Sequence, residues 1–391
     1  MTGSPATCGT ILSLMPVRSV LVVGAGIAGS TLSVLLGRGG VSTTLVERAG
    51  DQRSTGGPVD VRGAAVEVVA RLGLLEALRA AATDVTRLAA VDRTGRVIGW
   101  IPTQTSRDAI EIARSDLASI LIGAVGAGVE ILYGDTVVRM QDDGAGVEVR
   151  FERTDPRRFD LVIGADGLHS QVRRLTFGAE QRFTRPLGMY IATTPLETTA
   201  PDLHTVFLHG GPGRAAMIHP TTGREGAAFI FRDRSTIQPG DAADHLRNRL
   251  LTGAYAGMGW RVPEMLERIQ VAEDVYFDSI NRVQVGRWSR NRVVLVSDAA
   301  GCVTVFGEGS SMAIVGAATL AQAVTSSTDL AEALGWYEHV HRRRLAARHR
   351  GAGLTGHFLV PATHVGVAVR DGAFRVWPTI NALGGRRPTP V

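Results

Sequence analysis

The pattern of apolar and polar positions differs between two parts of the chain. Near the start, a β-branched apolar run over 20–23 is followed by helical spacing over 30–37 and a second apolar run over 43–48. This order predicts a strand, a helix and a second strand. From 183 to 280, strand-like runs separated by turn residues surround one helical stretch near 242–251, which predicts a second, mostly antiparallel sheet.

Further elements are predicted from the same patterns. Helical spacing occurs over 63–82, 115–127, 311–324 and 330–350, with a less regular tail to 391. Strands are predicted over 109–113, 129–133, 137–140, 147–151, 160–164 and 292–297, and a hairpin over 88–101 around Thr94-Gly95. Ser115 is expected to cap its helix, with Arg114 at the helix entrance.

The turn between the first strand and the first helix carries three spaced glycines. Gly24 suits a tight turn, Gly26 lets a pyrophosphate approach the backbone, and Gly29 permits close packing of helix on strand. The phosphates would lie at a helix N-terminus, which favours anions. Glu47 ends the second strand at about the 20-residue distance expected of an acid that accepts ribose hydroxyls. The unit therefore predicts dinucleotide binding, against the alternative of an ordinary strand–helix–strand turn.

Composition narrows the class of protein. The chain has 391 residues, a length that favours two units, and its 42 basic residues are all arginine, which excludes Schiff-base chemistry and a lysine-dependent phosphate loop. A net charge of +5 gives no reason to expect nucleic-acid binding. The sequence contains no run of about 18 apolar residues, so no membrane span is predicted. Two cysteines, Cys8 and Cys302, favour a reduced, cytoplasmic protein. Residues 1–16 are expected to be a disordered leader.

Two more strand ends carry acids in small-residue surroundings. Asp166 follows the run 160–164, and Asp298 follows the run 292–297. Together with Glu47 they supply polar groups at the carboxyl ends of three strands, as a dinucleotide extended across a parallel sheet requires.

Taken in order, these motifs resemble one known family. They are Gly24-x-Gly26-x-x-Gly29 with Glu47-Arg48, Arg114-x-x-Leu117, Gly164-Ala-Asp166-Gly167 with Ser170 and Val172-Arg173, and Ser297-Asp298-Ala-Ala. The resemblance covers about residues 17 to 350 and is to the FAD-dependent aromatic hydroxylases, the class A flavoprotein monooxygenases, whose prototype is para-hydroxybenzoate hydroxylase. It implies an α/β fold with a Rossmann-like FAD-binding domain, an interleaved, mostly antiparallel substrate sheet and C-terminal helices.

The resemblance also implies roles for single residues. The glycines and Glu47-Arg48 would hold the ADP half of FAD, Arg114 the ribose and pyrophosphate region, and Asp298 the ribityl chain. Asp166 matches a motif that the family associates with both FAD and NAD(P)H. Gly307 and Gly309 would let the backbone approach the flavin ring, at which the helix starting near Ser310 would point.

A narrower resemblance concerns the segment Arg53-x-x-Gly56-Gly57-x-x-Asp60-x-Arg62. It is similar to tetracycline-inactivating and natural-product tailoring monooxygenases, in which the residue matching Arg53 meets NADPH and the one matching Asp60 lies near the flavin. The alternative for Arg53 is a surface side chain, and Arg62 could be structural.

Two positions depart from the family pattern. Ser297 replaces the glycine that precedes the aspartate, and an ordinary backbone φ is expected there because positive φ would cost a serine roughly 1–2 kcal/mol. Val305 stands near a position where relatives often carry proline. The retained Asp298 keeps FAD binding as the expectation.

The implied activity is oxygenation by a single-component enzyme. NAD(P)H would reduce FAD, and a flavin hydroperoxide formed with O2 would transfer one oxygen atom to an aromatic or polycyclic small molecule. A flavin oxidoreductase without hydroxylation, Baeyer–Villiger oxygenation and a noncatalytic flavin or ligand sensor stay open. A flavin-dependent halogenase is disfavoured because the chain has no lysine. No metal is expected.

The expected division of the chain is discontinuous. The FAD-binding domain would comprise 17–85, 105–182 and 282–340, the substrate domain 86–104 and 183–281, and a C-terminal helical segment 341–391. Polar residues of the substrate sheet are expected to be mainly structural, and none is identifiable as a general base; they are Tyr190, His204, His209, His219 and Arg232. A monomer or a homodimer is expected.

Overall fold

A computed structural model of the chain describes residues 17–51, 56–103, 109–221, 223–233, 243–273, 275–303 and 308–384. The predictions made for Arg53, Val305, Gly307 and the leader over 1–16 fall outside these described residues.

The N-terminal half contains eleven strands and four helices among the described residues. The strands are β1 Ser19–Val23, β2 Ser42–Glu47, β3 Val59–Val61, β4 Arg87–Val91, β5 Val97–Pro102, β6 Ile110–Ile112, β7 Val129–Tyr133, β8 Val137–Asp142, β9 Val147–Phe151, β10 Arg157–Phe159 and β11 Leu161–Gly164. The helices are α1 Ile27–Arg38, α2 Ala64–Arg71, α3 Leu75–Ala80 and α4 Arg114–Gly123.

The second half continues with longer strands and helices. It begins with helix α5 Gln171–Phe177, which is followed by the strands β12 Thr184–Thr199, β13 Thr205–Gly211, β14 Arg214–Thr221 and β15 Arg224–Arg232. Two helices come next, α6 Ala243–Tyr255 and α7 Val262–Val271. The remaining strands are β16 Tyr276–Gln284, β17 Ser289–Arg290, β18 Val293–Leu295 and β19 Gly301–Val303. The last helices are α8 Glu308–Ser326, α9 Leu330–Leu359 and α10 His364–Gly384.

The first sheet has six strands in the order β17-β18-β11-β1-β2-β7. Its inner pairs are all parallel, and only the short edge strand β17 is antiparallel. Strands of this sheet are apolar almost throughout because both faces are covered; Leu21 and Val22 on β1 are fully buried. Helix α8 packs against α1. The strand–helix–strand prediction is confirmed.

The second large sheet has eight strands in the order β19-β16-β12-β15-β14-β13-β4-β5. All its pairs are antiparallel except β13 with β4, so the prediction of a mostly antiparallel sheet and of the hairpin β4–β5 is confirmed. Helices α6 and α7 cover one face, where Leu251, Tyr255 and Met265 join a buried cluster with the sheet. Only the first of these two helices was predicted.

Two small sheets complete the described strands. β8, β9 and β10 form an antiparallel sheet, and β3 pairs with β6 in a ribbon that places Asp60 opposite Glu111. This ribbon lies against α8. Glu111 of the ribbon also contacts His219 of β14, so the ribbon touches both α8 and the large antiparallel sheet.

Helix boundaries show what each terminus uses as a cap. Asp329 begins α9 by accepting a hydrogen bond from the amide of Glu332, a capping arrangement worth about 1 kcal/mol. The prediction that Ser115 caps its helix is wrong, because α4 begins one residue earlier, at Arg114, with Ala113 at the cap. Of the described helices, none is long and apolar enough to cross a membrane.

Candidate functional site

The turn from β1 to α1 is built by its three glycines. Gly24 has a φ of +102°, and a Cβ there would lie 2.7 Å from the carbonyl oxygen of Ala165. A Cβ on Gly29 would lie 1.8 Å from the carbonyl oxygen of Gly24, so both positions require glycine. At Gly26, at the start of α1, no atom of the described residues lies within 4 Å of a Cβ position, and none of their side chains caps the helix. The free amides of this helix end can bind a diphosphate.

Glu47 fixes its carboxylate beside this turn. One carboxylate oxygen accepts a hydrogen bond of 2.8 Å from the amide of Ala25, and the other accepts one of 2.9 Å from the amide of Ala49. Each oxygen keeps a lone pair for a further donor. The carboxylate is therefore fixed in direction and can accept further hydrogen bonds, while Arg48 beside it is exposed.

Asp166 lies on the loop after β11, with its Cα 2.9 Å from the place that a Cβ on Gly24 would occupy. Its carboxylate accepts hydrogen bonds from the Ser170 hydroxyl, at 2.5 Å, and from the amide of Val172, at 3.0 Å. Burial raises the pKa of Asp166 above its ordinary value despite these bonds. In the structure this carboxylate holds its own loop in shape, with Ser170 capping α5.

Asp298 lies in the short helical turn that follows β18, at the carboxyl end of the parallel sheet. Burial raises the pKa of its carboxyl, opposed by the charge of Arg114 and by a hydrogen bond from the Cys302 thiol. A carboxylate buried with so few donors suits a ligand that supplies hydroxyl groups.

The expectation of an ordinary backbone at Ser297 is wrong. Its φ is +58°, in the left-handed region, because the chain leaves β18 and turns at once into the helical turn Ser297–Ala299. The serine thus adopts the conformation for which glycine is favoured.

Arg114 extends from the first turn of α4 and is exposed. The Cδ of Arg114 lies 3.3 Å from the place that a Cβ on Gly56 would occupy, and its charge acts on both Asp298 and Tyr276. The structure therefore brings Arg114 and Asp298 to one region.

Arg173 is a buried residue of the site to which the sequence motifs assigned no role. Its guanidinium donates hydrogen bonds to the carbonyl oxygens of Ala299, at 3.1 Å, and Leu168, at 2.6 Å, and its side chain is fully buried. It joins the loop of Asp166 to the turn of Asp298. The sequence signal for this role was the position of Arg173 shortly after the loop of Asp166. An arginine buried there needs carbonyl or carboxylate partners, which the neighbouring loops supply.

The start of α8 is tied to the β3–β6 ribbon. The Ser311 hydroxyl donates to the carbonyl oxygen of Asp60 at 2.8 Å and accepts from the amide of Arg62 at 3.1 Å. Around Gly309, in the first turn, no atom from the described ranges lies within 4 Å of where a Cβ would be. The helix begins at Glu308, slightly before the predicted start near Ser310. Asp60 and Arg62 form an ion pair on the same ribbon.

The face of the large antiparallel sheet opposite α6 and α7 points toward this region. One row of paired residues crosses four strands: Tyr276, Thr193, Ala228 and Met217. The row spans three strand spacings, about 14 Å. We call it the floor. Tyr276 at one end lies within electrostatic range of Asp298, and His219, two residues beyond Met217, contacts Glu111 of β6 at 3.1 Å. The floor is thus bounded by polar groups at both ends.

A parallel sheet with a glycine turn and acids at or just beyond its strand ends, joined to a large antiparallel sheet, is the architecture of an FAD-binding flavoprotein. Comparison with known families agrees. The chain matches the family described as FAD binding domain over residues 18–347. It belongs to this family, that of the class A flavin-dependent monooxygenases.

Two relatives match most of the chain. An uncharacterized protein of Mycobacterium tuberculosis strain H37Rv is 38% identical over 325 residues, which cover 80% of this chain and 86% of that protein. A flavin-dependent monooxygenase from an unknown prokaryotic organism is 30% identical over 329 residues, 83% of this chain and 85% of its own length.

Among solved structures, the tetracycline destructase Tet(51) superimposes with a TM-score of 0.80 at 28% identity, covering 96% of this chain and 100% of that one. HpxO of Klebsiella pneumoniae, in complex with FAD and uric acid, superimposes with a TM-score of 0.74 at 21% identity, covering 94% and 95% of the two chains. The likeness to HpxO concerns the fold alone.

Proposed function

We propose that this protein is an NAD(P)H-consuming monooxygenase that inserts one atom of O2 into an aromatic or polycyclic small molecule. The observation that carries the proposal is the position of the floor: its sheet face meets the β3–β6 ribbon through His219 and Glu111, and its Tyr276 lies within electrostatic range of Asp298. When bound, FAD would supply the redox chemistry, accepting electrons from NAD(P)H and activating O2. The protein's own residues would bind the cofactor and the substrate, orient them toward each other and exclude water from the site.

The proposed FAD site uses the residues gathered at the ends of the parallel strands. Gly24, Gly26 and Gly29 would hold the diphosphate, and Glu47-Arg48 the adenosine ribose. The open space at Gly26 and the oriented carboxylate of Glu47 support this assignment.

The remaining half of the cofactor would extend toward α8. Arg114 would meet the pyrophosphate, Asp298 the ribityl chain, and Gly309 and Asp60 would lie near the flavin ring; Arg53 and Gly307, outside the described residues, are assigned by resemblance alone. Asp166 would act indirectly, by shaping the loop beside Gly24, since its carboxylate is bound within that loop.

The floor supports a polycyclic substrate. The row is about 14 Å long, the length of several fused rings, and Tyr276, Ala228 and Met217 in it are partly exposed. The similarity to a tetracycline destructase points to the same class of molecule. We propose that the enzyme acts in the cytoplasm as a monomer or homodimer.

The proposed division of labour follows the sheets. An FAD-binding domain of 17–85, 105–182 and 282–340 contains the strands of the parallel sheet, and a substrate domain of 86–104 and 183–281 contains most of the antiparallel one. β19 is an exception, since it lies within 282–340 yet pairs with β16. The last segment, 341–391, includes α10, which packs on β5.

The test is oxygen transfer by the purified, FAD-loaded protein. NADPH and NADH oxidation is followed under air with tetracycline and a panel of polycyclic phenols. We expect at least one compound to accelerate oxidation and to gain one atom of isotopically labelled oxygen from O2. Oxidation with no labelled product would favour a flavin oxidoreductase, oxygen insertion beside a ketone a Baeyer–Villiger enzyme, and no turnover with any compound a ligand sensor.

A further inference from the structure

The polar end of the floor at β14 is a pair of side chains from different parts of the fold. His219 comes from the antiparallel sheet and Glu111 from the β3–β6 ribbon, and the imidazole Nε2 lies 3.1 Å from the carboxylate Oε1. The side chains are 16% and 18% exposed, respectively, so both are largely withdrawn from bulk solvent. The pair joins the floor to the ribbon that is tied to the start of α8.

Hydrogen bonds fix the orientation of both partners. The His219 Nδ1 lies 2.9 Å from the carbonyl oxygen of Pro220, which can only accept, so Nδ1 carries a proton. On the other side, the Thr83 hydroxyl donates to Glu111 Oε1 at 2.5 Å. The acid and the imidazole are therefore held in place before any ligand arrives.

The carboxylate is also held in its charged form. Burial acts to raise the pKa of Glu111, but the hydrogen bond and charge of His219, the Thr83 hydroxyl and the charge of Arg62 outweigh it and keep the pKa below its ordinary value. An ionised carboxylate is an acceptor at both oxygens. Both Thr83 and His219 use Oε1, and no donor within the described parts of the chain reaches Oε2.

We propose that Glu111 Oε2 is a substrate anchor that accepts a hydrogen bond from a phenolic or enolic hydroxyl of the molecule bound on the floor. His219 acts as a positioning residue that balances the charge of Glu111 and fixes its direction. The anchor would fix one end of a polycyclic ring system, and the rings would lie along the floor from Met217 toward Tyr276. This inference rests on the proposed function for the identity of the bound molecule.

A binding experiment tests the anchor without turnover. The probes are β-hydroxyanthraquinone and its methyl ether, which share one ring system but differ in the hydroxyl donor. Dissociation constants for the FAD-loaded protein are measured by quenching of tryptophan fluorescence, with no NAD(P)H present. We expect the wild-type protein to prefer the hydroxyl compound about tenfold, and Glu111→Gln to bring the two constants close together, since a charged acceptor is lost.

Two further variants make the result specific. His219→Gln should reduce the preference severalfold while leaving Glu111 in place, and it serves as the test if Glu111→Gln does not fold. Glu225→Gln is the matched control: Glu225 lies on the helix-covered face of the same sheet and pairs with Arg261 at 2.8 Å, so its loss should leave the preference unchanged.

The outcomes separate the anchor from the proposed reaction. Equal binding of both probes by the wild-type protein, or an undiminished preference in Glu111→Gln or His219→Gln, would overturn the anchor. A preference that Glu111→Gln abolishes, together with no transfer of labelled oxygen in the turnover assay, would retain the anchor and reject the monooxygenase.

Discussion

At the scale of single residues, the backbone of Ser297 shows how the site departs from its sequence pattern. It is one of three non-glycine residues with positive φ in the described ranges, with Trp260 and Asn291. A sequence pattern cannot reveal this conformation, because it shows the residue type and not the direction in which the strand must turn. The neighbouring Asp298 follows a β-branched run and could be predicted from it.

Replacing Ser297 by glycine should stabilise the fold. The strain of a left-handed serine, about 1–2 kcal/mol, exceeds the entropy cost of adding a glycine, so Ser297→Gly should raise the free energy of unfolding by about 0.5–1 kcal/mol. Urea unfolding of the FAD-free protein measures the difference. Ser297→Ala, which keeps a Cβ, is the control and should show no gain; an equal gain in both variants would contradict the explanation.

Glu47 should contribute directly to FAD retention. Glu47→Gln removes the negative charge that would accept the ribose hydroxyls, and the loss of a charge-assisted hydrogen bond of roughly 1.5–3 kcal/mol should weaken FAD binding tenfold or more. Equilibrium dialysis of FAD measures the affinity. Glu130→Gln, on the adjacent strand β7 and paired with Arg157 at the surface, is the control; equal affinities in both variants would reject the ribose assignment.

At the scale of elements, the packing of α9 buries a titratable group. His341 is 1% exposed, its ring stacks on Tyr337 with centroids 6.0 Å apart, and neither ring nitrogen has a hydrogen-bond partner among the residues that the structure describes. Burial, and secondarily the charge of Arg344, lowers its pKa to about 4. His341 is therefore neutral in the folded protein near neutral pH.

This histidine should make the fold sensitive to acid. Because its folded pKa lies below the unfolded value, the unfolded chain takes up a proton first as the pH falls, and stability is lost between pH 6.5 and about 4. Between about pH 7 and pH 5 the loss should be about 2 kcal/mol. His341→Phe keeps a ring against Tyr337 and should lose less stability over this interval in urea unfolding; an identical loss would show that other groups cause it.

The loop after β11 carries a histidine with the opposite behaviour. His169 lies 2.7 Å from Glu180 and 3.2 Å from Asp278 of β16, and hydrogen bonds to Asp278 and Glu180 raise its pKa to about 9. The contribution of His169 to the stability of the fold is complete below its unfolded-state pKa of 6.5 and is lost as the pH rises toward 9. Because its side chain is 44% exposed, solvent screening should limit the contribution to about 1 kcal/mol or less.

Asp278→Asn tests this link between the loop and the antiparallel sheet. The variant should be less stable than the wild-type protein near neutral pH and nearly equal to it above about pH 9, where the wild-type imidazole has lost its charge. Thermal unfolding across this range gives the comparison. A difference that does not change with pH would mean that Asp278 acts by packing or by its bond to the Ser279 amide instead.

The elements differ in how far the sequence could predict them. β2, which ends at Glu47, and β18, which is followed by the turn of Asp298, are short β-branched runs, and their pattern is local. Helix α7 was missed although Val262, Met265 and Ile269 have helical spacing, because the stretch is only ten residues long and begins beside a proline. The pair of Glu111 and His219 could not be predicted, since it depends on the register of strands that are distant in the chain.

At the scale of the whole molecule, α10 closes one edge of the antiparallel sheet. It packs against β5, β4 and β13, burying Phe374 and Arg370, whose guanidinium donates to the carbonyl oxygen of Leu359 at 3.2 Å. The approach is close because Gly99 and Gly210 have no side chain: a Cβ on Gly210 would lie 2.5 Å from Arg370 Nη1. Helix α10 is thus held on the same sheet that provides the floor.

Gly99→Ala should loosen this attachment more than it disturbs the sheet itself. The added Cβ would lie 2.2 Å from the carbonyl oxygen of Phe374, a backbone atom, so α10 must move, at a cost of about 1–3 kcal/mol. The measurement is the rate of limited trypsin cleavage after the exposed Arg375 in α10. We expect this cleavage to be faster in Gly99→Ala than in the wild-type protein. Gly253→Ala, in α6 with no atom within 4 Å of the new Cβ, is the control and should leave cleavage unchanged. If Gly99→Ala were cleaved no faster, the close contact between β5 and α10 could not be what holds the last helix in place.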